Sequence, residues 1–357
     1  MEKEKKSKIK KILVNLTIFI LLIILTFSLV LKDQDVSQIF SVAAKVKKQY
    51  ILFAVLAMSI YILGEAVNIT RILKELGEKS KLISNIRYTL IGFFFSAITP
   101  AASGGQPMEI YYMHKDDISV ANSTLALLMQ LCSLQIVTIT VGTISAVIHF
   151  EVLKSGLIYL LILGIILNSS ALMLLIIAIF SKKLSEGLIK FAVKLLKFFR
   201  IPNVEKKQEK LEKELESYQT SAKYIKEHKI LMLKIVITTV IQMIAYYSVP
   251  YWIYLAFGLT EYNIFEILTL QAVLYATVSG IPSPGAVGVS EGGFLGIFRN
   301  VFPETIISSA MLLTRGANFY LFIIISAIIV MISTFREKKI EKKQMQETEV
   351  LTEKSEK

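Results

Sequence analysis

One cysteine, Cys132, and three histidines stand among 357 residues. A lone thiol excludes an intramolecular disulfide and a cysteine-cluster metal site. His114, His149 and His228 lie far apart and give no zinc-ligand spacing, so neither a metal nor a cofactor is expected. No Walker A loop, no GxGxxG ahead of a helix and no nucleophile elbow occurs, and the glycine-rich stretches follow apolar runs. No residue is therefore a candidate for catalysis. Charge is missing too, from several apolar stretches of about 20 residues, the length that crosses a hydrocarbon core of roughly 30 Å.

What is present is apolar. The chain is 54% hydrophobic and carries a net charge of +12. In a membrane protein that charge reads as basic cytoplasmic loops beside anionic lipid, not as a nucleic-acid surface. The expectation is an all-α integral membrane protein. Six full spans fall at 12–31, 50–69, 119–148, 156–180, 230–257 and 305–333. The first is too long for a signal-peptide core and no small-residue cleavage site follows it, so it reads as a retained helix. Two more apolar stretches, 88–114 and 264–299, are broken by Pro and Gly and read as re-entrant hairpins. Both termini are then cytoplasmic. The segments assigned to that side hold 32 of the 40 Lys and Arg, and the outside loops hold 6, as the positive-inside rule requires.

The two broken stretches match each other. A shift of 182 residues carries Pro100 of AITPAASGGQPMEIYYM onto Pro282 of SGIPSPGAVGVSEGGFL, and Glu109 onto Glu291. The same shift carries 51–75 onto 233–257 and 123–148 onto 305–330. Under the expected topology the matched elements run in opposite directions, which defines an inverted-topology repeat. The halves are 12–148 and 156–333, between a basic leader at 1–11 and a disordered tail at 334–357. Paired interrupted segments of this kind point to a transport site.

Irregular backbone survives at membrane depth only where protein buries it or water reaches it. The two breaks therefore imply a polar cavity where the hairpins meet. Half-helices at about 107–114 and 289–299 would aim free N–H groups into it, which suits a phosphate or another anionic headgroup. Gly104, Gly105, Gly285 and Gly288 permit close backbone approach. The charges within the apolar segments include Glu65, Glu109, Glu291 and Arg315, each a functional candidate by its cost alone. Arg315 either grips phosphate bidentately or only locks two helices through a glutamate. Glu109 and Glu291 either serve the cavity or only cap their half-helices. Glu65 either belongs to the cavity or is solvated beside Arg71. The pairs Tyr111–Tyr112 and Tyr246–Tyr247 read as interfacial belt residues. In the cytoplasmic loop 181–229, residues 186–200 form a basic amphipathic helix for the inner leaflet, and 203–229 form a charged, solvent-facing helix.

The segments TPAASGGQPMEIYYM, PSPGAVGVSEGGF and LLTRGANFYL together resemble the transmembrane, flippase-like region of the lysylphosphatidylglycerol synthase family, the membrane part of the multiple peptide resistance factor. The resemblance covers about residues 10–335 and implies a lipid flippase in the bacterial inner membrane that moves aminoacylated phosphatidylglycerol outward. It assigns substrate binding to Gly104, Gly105, Gln106, Pro107 and Glu109 in the first hairpin, and to Pro284, Gly285, Gly288, Glu291, Gly292 and Gly293 in the second. Arg315 matches the arginine of the last span, where Thr314 stands in place of the bulky residue many relatives carry. In full-length members a separate cytosolic domain makes the lipid from charged tRNA. Only about two dozen polar residues follow the last span here, so that domain is expected to be missing. The leading expectation is movement of a phospholipid, lysyl-phosphatidylglycerol included, or of a polyprenyl-phosphate-linked lipid. Its rivals are phosphatidylglycerol lysyl transfer, with the cationic-peptide resistance it confers, and an accessory role beside a separate synthase. The expected partners are membrane phospholipids and such a synthase, not nucleic acid.

Overall fold

The computed structural model describes residues 41–99, 102–149, 157–181, 204–281 and 283–336, with Thr17 and Gly187 as isolated positions. The span expected at 12–31, the amphipathic segment 186–200 and the tail beyond 336 lie outside the described residues, as do Pro100 and Pro282. Every regular element among the described residues is helical. The helices are α1 (Lys48–Glu75), α2 (Leu82–Ala97), α3 (Gly105–Lys115), α4 (Val120–Ile148), α5 (Leu157–Phe180), α6 (Val204–Glu227), α7 (Lys229–Ala256), α8 (Ile264–Val278) and α9 (Val289–Ile297). The last, α10, runs Ile307–Arg336 and holds a π-helical turn at Gly316–Tyr320.

Five of these are long and apolar enough to cross a membrane: α1, α4, α5, α7 and α10. Their outward faces are mostly apolar, as lipid contact demands, with exceptions such as Ser59 on α1, Ser169 and Ser170 on α5 and Lys234 on α7. On α5, Tyr159, Ile166, Met173 and Leu174 are exposed, and on α7 Ile230, Leu233, Ile237 and Ile241. A solvated helix would carry charge on such a face.

The centre of the bundle is the α1–α7 pair. Their approach is close because Gly64 has no side chain; a Cβ there would lie 2.8 Å from the Cβ of Gln242. Small residues at contact positions are the usual route to tight packing in lipid, where apolar burial alone drives nothing. Across this seam runs a buried polar network. The Asn68 amide donates to Gln130 Oε1 at 2.9 Å, to Thr239 Oγ1 at 3.0 Å and to the Ile235 carbonyl at 3.2 Å. Gln130 donates to Gln242 Oε1 at 3.2 Å, and Ser133 to Thr239 at 2.8 Å. Arg71 closes one end, donating to Asn68 Oδ1 and Thr238 Oγ1 at 3.0 Å each.

Each interrupted stretch is a helix–turn–helix. In the first, α3 folds back along α2: a Cβ at Gly105 would overlap Ser96 Oγ, and one at Gly92 would overlap the Glu109 carboxylate. Thr99 stitches the turn, accepting from Gly104 N at 2.9 Å and donating to the Phe95 carbonyl at 2.6 Å. At the open end Asp116 accepts from both Arg87 and Tyr88. In the second, α8 opens with a capping box, Asn263 accepting from Phe265 and Glu266 while Glu266 returns to Asn263 N at 2.8 Å. Its turn includes a short 3₁₀ segment at Pro284–Ala286. Each turn holds an alanine in left-handed backbone, Ala102 (φ 53°) and Ala286 (φ 52°), a conformation alanine adopts only under local constraint.

Helix starts recur at nearly the shift read in the sequence: Lys48 and Lys229, Leu82 and Ile264, Gly105 and Val289. The packing also crosses over. The α2 helix rests on α10, with Phe93 and Phe319 ring centres 6.0 Å apart. The α8 helix rests on α4, where a Cβ at Gly142 would lie 2.5 Å from that of Ala276. It rests on α5 as well, where Asn168 donates to the Ala276 carbonyl at 3.2 Å.

One expectation needs correction. The charged helix α6 is not free in solvent on all sides. Tyr218, Ala222 and Ile225 fall on one face at helical spacing and are buried. Tyr218 donates to the Ala178 carbonyl at 3.0 Å, Glu214 accepts from Ala121 N at 3.1 Å, and Ser221 donates to Asn122 at 2.8 Å. Burial pushes the Tyr218 phenol up to about 12, so it stays a donor at neutral pH.

Candidate functional site

The two turns and the helices beside them enclose a cavity of about 270 Å³. The first hairpin contributes Ser96, Ala97 and Ala102. The second contributes Ser279 to Ile281, then Ser283, Gly285 and Ala286, with Ser290 opening α9. Met58 and Tyr61 come from α1, Tyr246 from α7, and Arg315, Asn318 and Phe319 from α10. The small residues of the two turns leave a gap that the rings of Tyr61, Phe93, Tyr246, Tyr275 and Phe319 close from the sides.

Arg315 is the only charged residue on that wall among the described residues. Its Nε donates to Glu291 Oε1 at 2.7 Å, and its Nη2 to the Gly285 carbonyl at 3.1 Å. The guanidinium carbon lies 4.0 Å from the centre of the Phe319 ring, a cation–π contact in a dry setting. The guanidinium carbon also lies 5.6 Å from the centre of the Tyr320 ring. Glu291 is fully buried. It also accepts from Tyr320 at 3.2 Å on Oε1 and from Gly288 N at 2.7 Å on Oε2. This carboxylate therefore both caps α9 and holds the arginine, without itself lining the cavity.

The turn geometry follows from the glycines. Gly285 (φ 59°) and Gly288 (φ 87°) take left-handed backbone, and the edge of the Phe319 ring fills the space a Cβ at Gly285 would need. Pro284 opens the 3₁₀ turn, where its fixed φ fits. The π-helical turn begins right after Arg315 and carries Asn318, Phe319 and Tyr320 toward the site. Such bulges commonly re-aim side chains at functional positions. On the cavity wall, Ser283 Oγ and Asn318 Oδ1 are buried without a hydrogen-bond partner among the described residues.

The remaining candidates sit elsewhere. Gly104, Gly105 and Gln106 begin α3 but do not line the cavity; Gly105 serves α2–α3 packing and Gly104 is bound by Thr99. Pro107 lies in the first turn of α3, and Gly293 lets α9 close on Leu274. Gly292 meets no neighbouring side chain. Glu109 is 2% exposed, rests on Gly92, and caps nothing, because it is the fifth residue of α3. Glu65 is half-buried on α1 and is not bound by Arg71, whose Nη1 goes to Asn68, Thr238 and the Lys234 carbonyl.

The tyrosines also move. Tyr246 lines the cavity and Tyr247 is wholly buried, so the pair is not an interfacial belt. They form an aromatic cluster with Tyr61 and Tyr275; Tyr61–Tyr246 and Tyr246–Tyr275 centres are each 5.2 Å apart. Tyr112 is buried too, its hydroxyl 3.2 Å from Thr334 Oγ1, while Tyr111 remains partly exposed. The signal for Tyr61, Tyr275 and Asn318 was faint: polar tips on otherwise apolar helices, which an interface also explains.

A bundle of spanning helices around two broken hairpins, with a buried arginine on the wall between them, is the architecture of a multi-pass membrane protein with an internal polar site. The chain belongs to the family described as the lysylphosphatidylglycerol synthase TM region, whose model matches residues 12–326. No curated protein matches the chain.

Proposed function

We propose that this protein moves a lipid between membrane leaflets, holding its headgroup in the cavity between the two hairpins while the acyl chains stay in lipid. The observation that carries this reading is the cavity wall itself. A buried guanidinium, two polar atoms without a hydrogen-bond partner among the described residues and backbone-only turns supply a headgroup site, and aromatic rings close its side. Phosphate suits the arginine by shape and charge, so the cargo is a phospholipid, aminoacylated forms included, or a polyprenyl-phosphate carrier. In this reading both hairpins are re-entrant and open from opposite sides of a bacterial inner membrane, and both termini are cytoplasmic. The recurring helix starts and the crossed packing of α2 on α10 and α8 on α4 support an inverted repeat whose halves rock to give alternating access. A separate lipid-modifying synthase would supply an aminoacylated cargo.

The test is reconstitution into vesicles of phosphatidylethanolamine and phosphatidylglycerol doped with fluorescent phosphatidylglycerol, followed by dithionite quenching of the outer leaflet. Protein-dependent loss of the protected half supports transport. Protection equal to that of empty vesicles, with reporters of each headgroup class, refutes it.

A further inference from the structure

Glu109 is a buried carboxyl that the fold leaves without a partner. It is 2% exposed, and its Oε2 receives no hydrogen bond. Neither an ion pair nor a hydrogen bond reaches the side chain from any described residue. This is not a crowded accident of the helix, because Gly92 is shaped to receive it: any Cβ there would overlap the carboxylate. Glu291, which the 182-residue shift pairs with it, is treated in the opposite way, with three hydrogen bonds from Arg315, Tyr320 and Gly288.

The groups around Glu109 are few. From α1, Glu65 is the one titratable side chain whose charge reaches it, and Glu65 likewise has no hydrogen-bond partner among the described residues. On the packed helix α2, Arg87 and Tyr88 are engaged by Asp116, beyond the far end of α3. The α4 helix offers only Cys132, and on α3 itself His114 and Lys115 lie in the last turn. No cation on these helices sits where it would neutralise the carboxylate. A buried, unpaired carboxylate costs far more than its protonated form. Two carboxylates do not make a metal site, which needs several more oxygen ligands, and no group of three or more candidate ligands occurs among the described residues.

We propose that Glu109 is the proton-binding site of this protein, so that lipid movement is coupled to proton movement. This rests on the transport reading above. One proton binds a carboxylate oxygen of Glu109 in the state described here; motion of α3 away from Gly92 exposes the carboxyl and lets the proton leave to water. The Arg315–Glu291 pair stays charged and handles the headgroup, so the two hairpins divide the work.

Two measurements test this on the full chain. The first is infrared difference spectroscopy of the purified protein during a pH titration. A protonated-carboxyl band that disappears in Glu109→Gln but persists in Glu291→Gln is expected; a spectrum unchanged by Glu109→Gln overturns the proposal. The second uses the same phosphatidylethanolamine and phosphatidylglycerol vesicles, with fluorescent phosphatidylglycerol and an imposed pH gradient. Wild-type protein should move the reporter faster under the gradient, Glu109→Gln should lose that response, and Glu109→Asp should recover part of it. Equal wild-type rates with and without the gradient overturn proton coupling and leave transport standing. No movement of any reporter by wild-type protein overturns transport, and this proposal with it.

Discussion

Arg315 and Glu291 meet at 2.7 Å with both side chains buried, and the pair is tied to the second hairpin by the Gly285 carbonyl and the Gly288 N–H. The two residues lie on different helices, so this one contact fixes the position of the turn against α10. It also leaves the local site near neutral, which lowers the cost of keeping an arginine at depth.

Removing the arginine should therefore cost both stability and transport. Breaking a buried pair by deleting one partner costs about 3–5 kcal/mol, because the other charge is stranded. Arg315→Ala is expected to lower the melting temperature in detergent and to abolish lipid movement. A double variant, Arg315→Met with Glu291→Leu, should regain stability but not transport. Normal lipid movement in that double variant would remove the arginine from the headgroup site.

Arg315→Lys separates charge from shape. The ammonium keeps the positive charge but has no planar fork with which to hold Glu291 and the Gly285 carbonyl together. Folding should be weakened only modestly, while lipid movement falls by about tenfold or more, a loss of at least ~1.4 kcal/mol in the transition state. Vesicle assays at matched protein density read the difference.

Gly285→Ala tests the turn. The φ of 59° disfavours a side chain, and the Phe319 ring occupies the space. A cost of about 1–3 kcal/mol is expected from the strained backbone alone. The companion variant Phe319→Ala opens room for the methyl but removes the ring beneath Arg315, so the double variant should recover part of the stability and none of the transport. Thermal unfolding followed by tryptophan-independent dye binding would report it.

The polar seam between α1 and α7 makes a separate prediction. Asn68→Leu deletes three donated bonds, leaves Gln130 Oε1 without its donor, and removes the acceptor of Arg71, while Thr239 keeps its bonds to Ser133 and Ile235. Each buried group left unsatisfied costs about 1–3 kcal/mol, so the variant should melt several degrees lower. Asn68 is remote from the cavity wall, and a loss of lipid movement in excess of the loss of folded protein would show that the seam also moves during transport.

Much of the bundle was legible from one strand of reasoning. Long apolar runs with few charges inside them (Glu65, Lys234 and Arg315) gave α1, α4, α5, α7 and α10, because lipid tolerates little else on their outer faces. Pro and Gly located the two interrupted stretches, and the 182-residue shift related them through two prolines and two glutamates. Three things were not legible. The stripe of Tyr218, Ala222 and Ile225 was hidden under the charge of α6. The partner of Arg315 was ambiguous between Glu65, Glu109 and Glu291, since spacing along the chain does not rank contacts between helices. The tyrosine pairs looked like belt residues, because a phenol on an apolar helix suits an interface as well as a buried cluster.

The sequence by itself determined that this chain lives in a membrane, where its helices lie and where its backbone breaks, because these follow from hydropathy, length and the backbone limits of Pro and Gly. Only the tertiary structure decided which glutamate holds the arginine and which is left alone. The 182-residue shift pairs Glu109 with Glu291 in the sequence, but one is the fifth residue of α3 and the other the third of α9. Their environments differ because α10 brings an arginine to one, whereas the neighbours of the other are a glycine and a second carboxylate. Electrostatic roles in a low-dielectric interior are set by such contacts, and contacts between distant segments are written only in three dimensions.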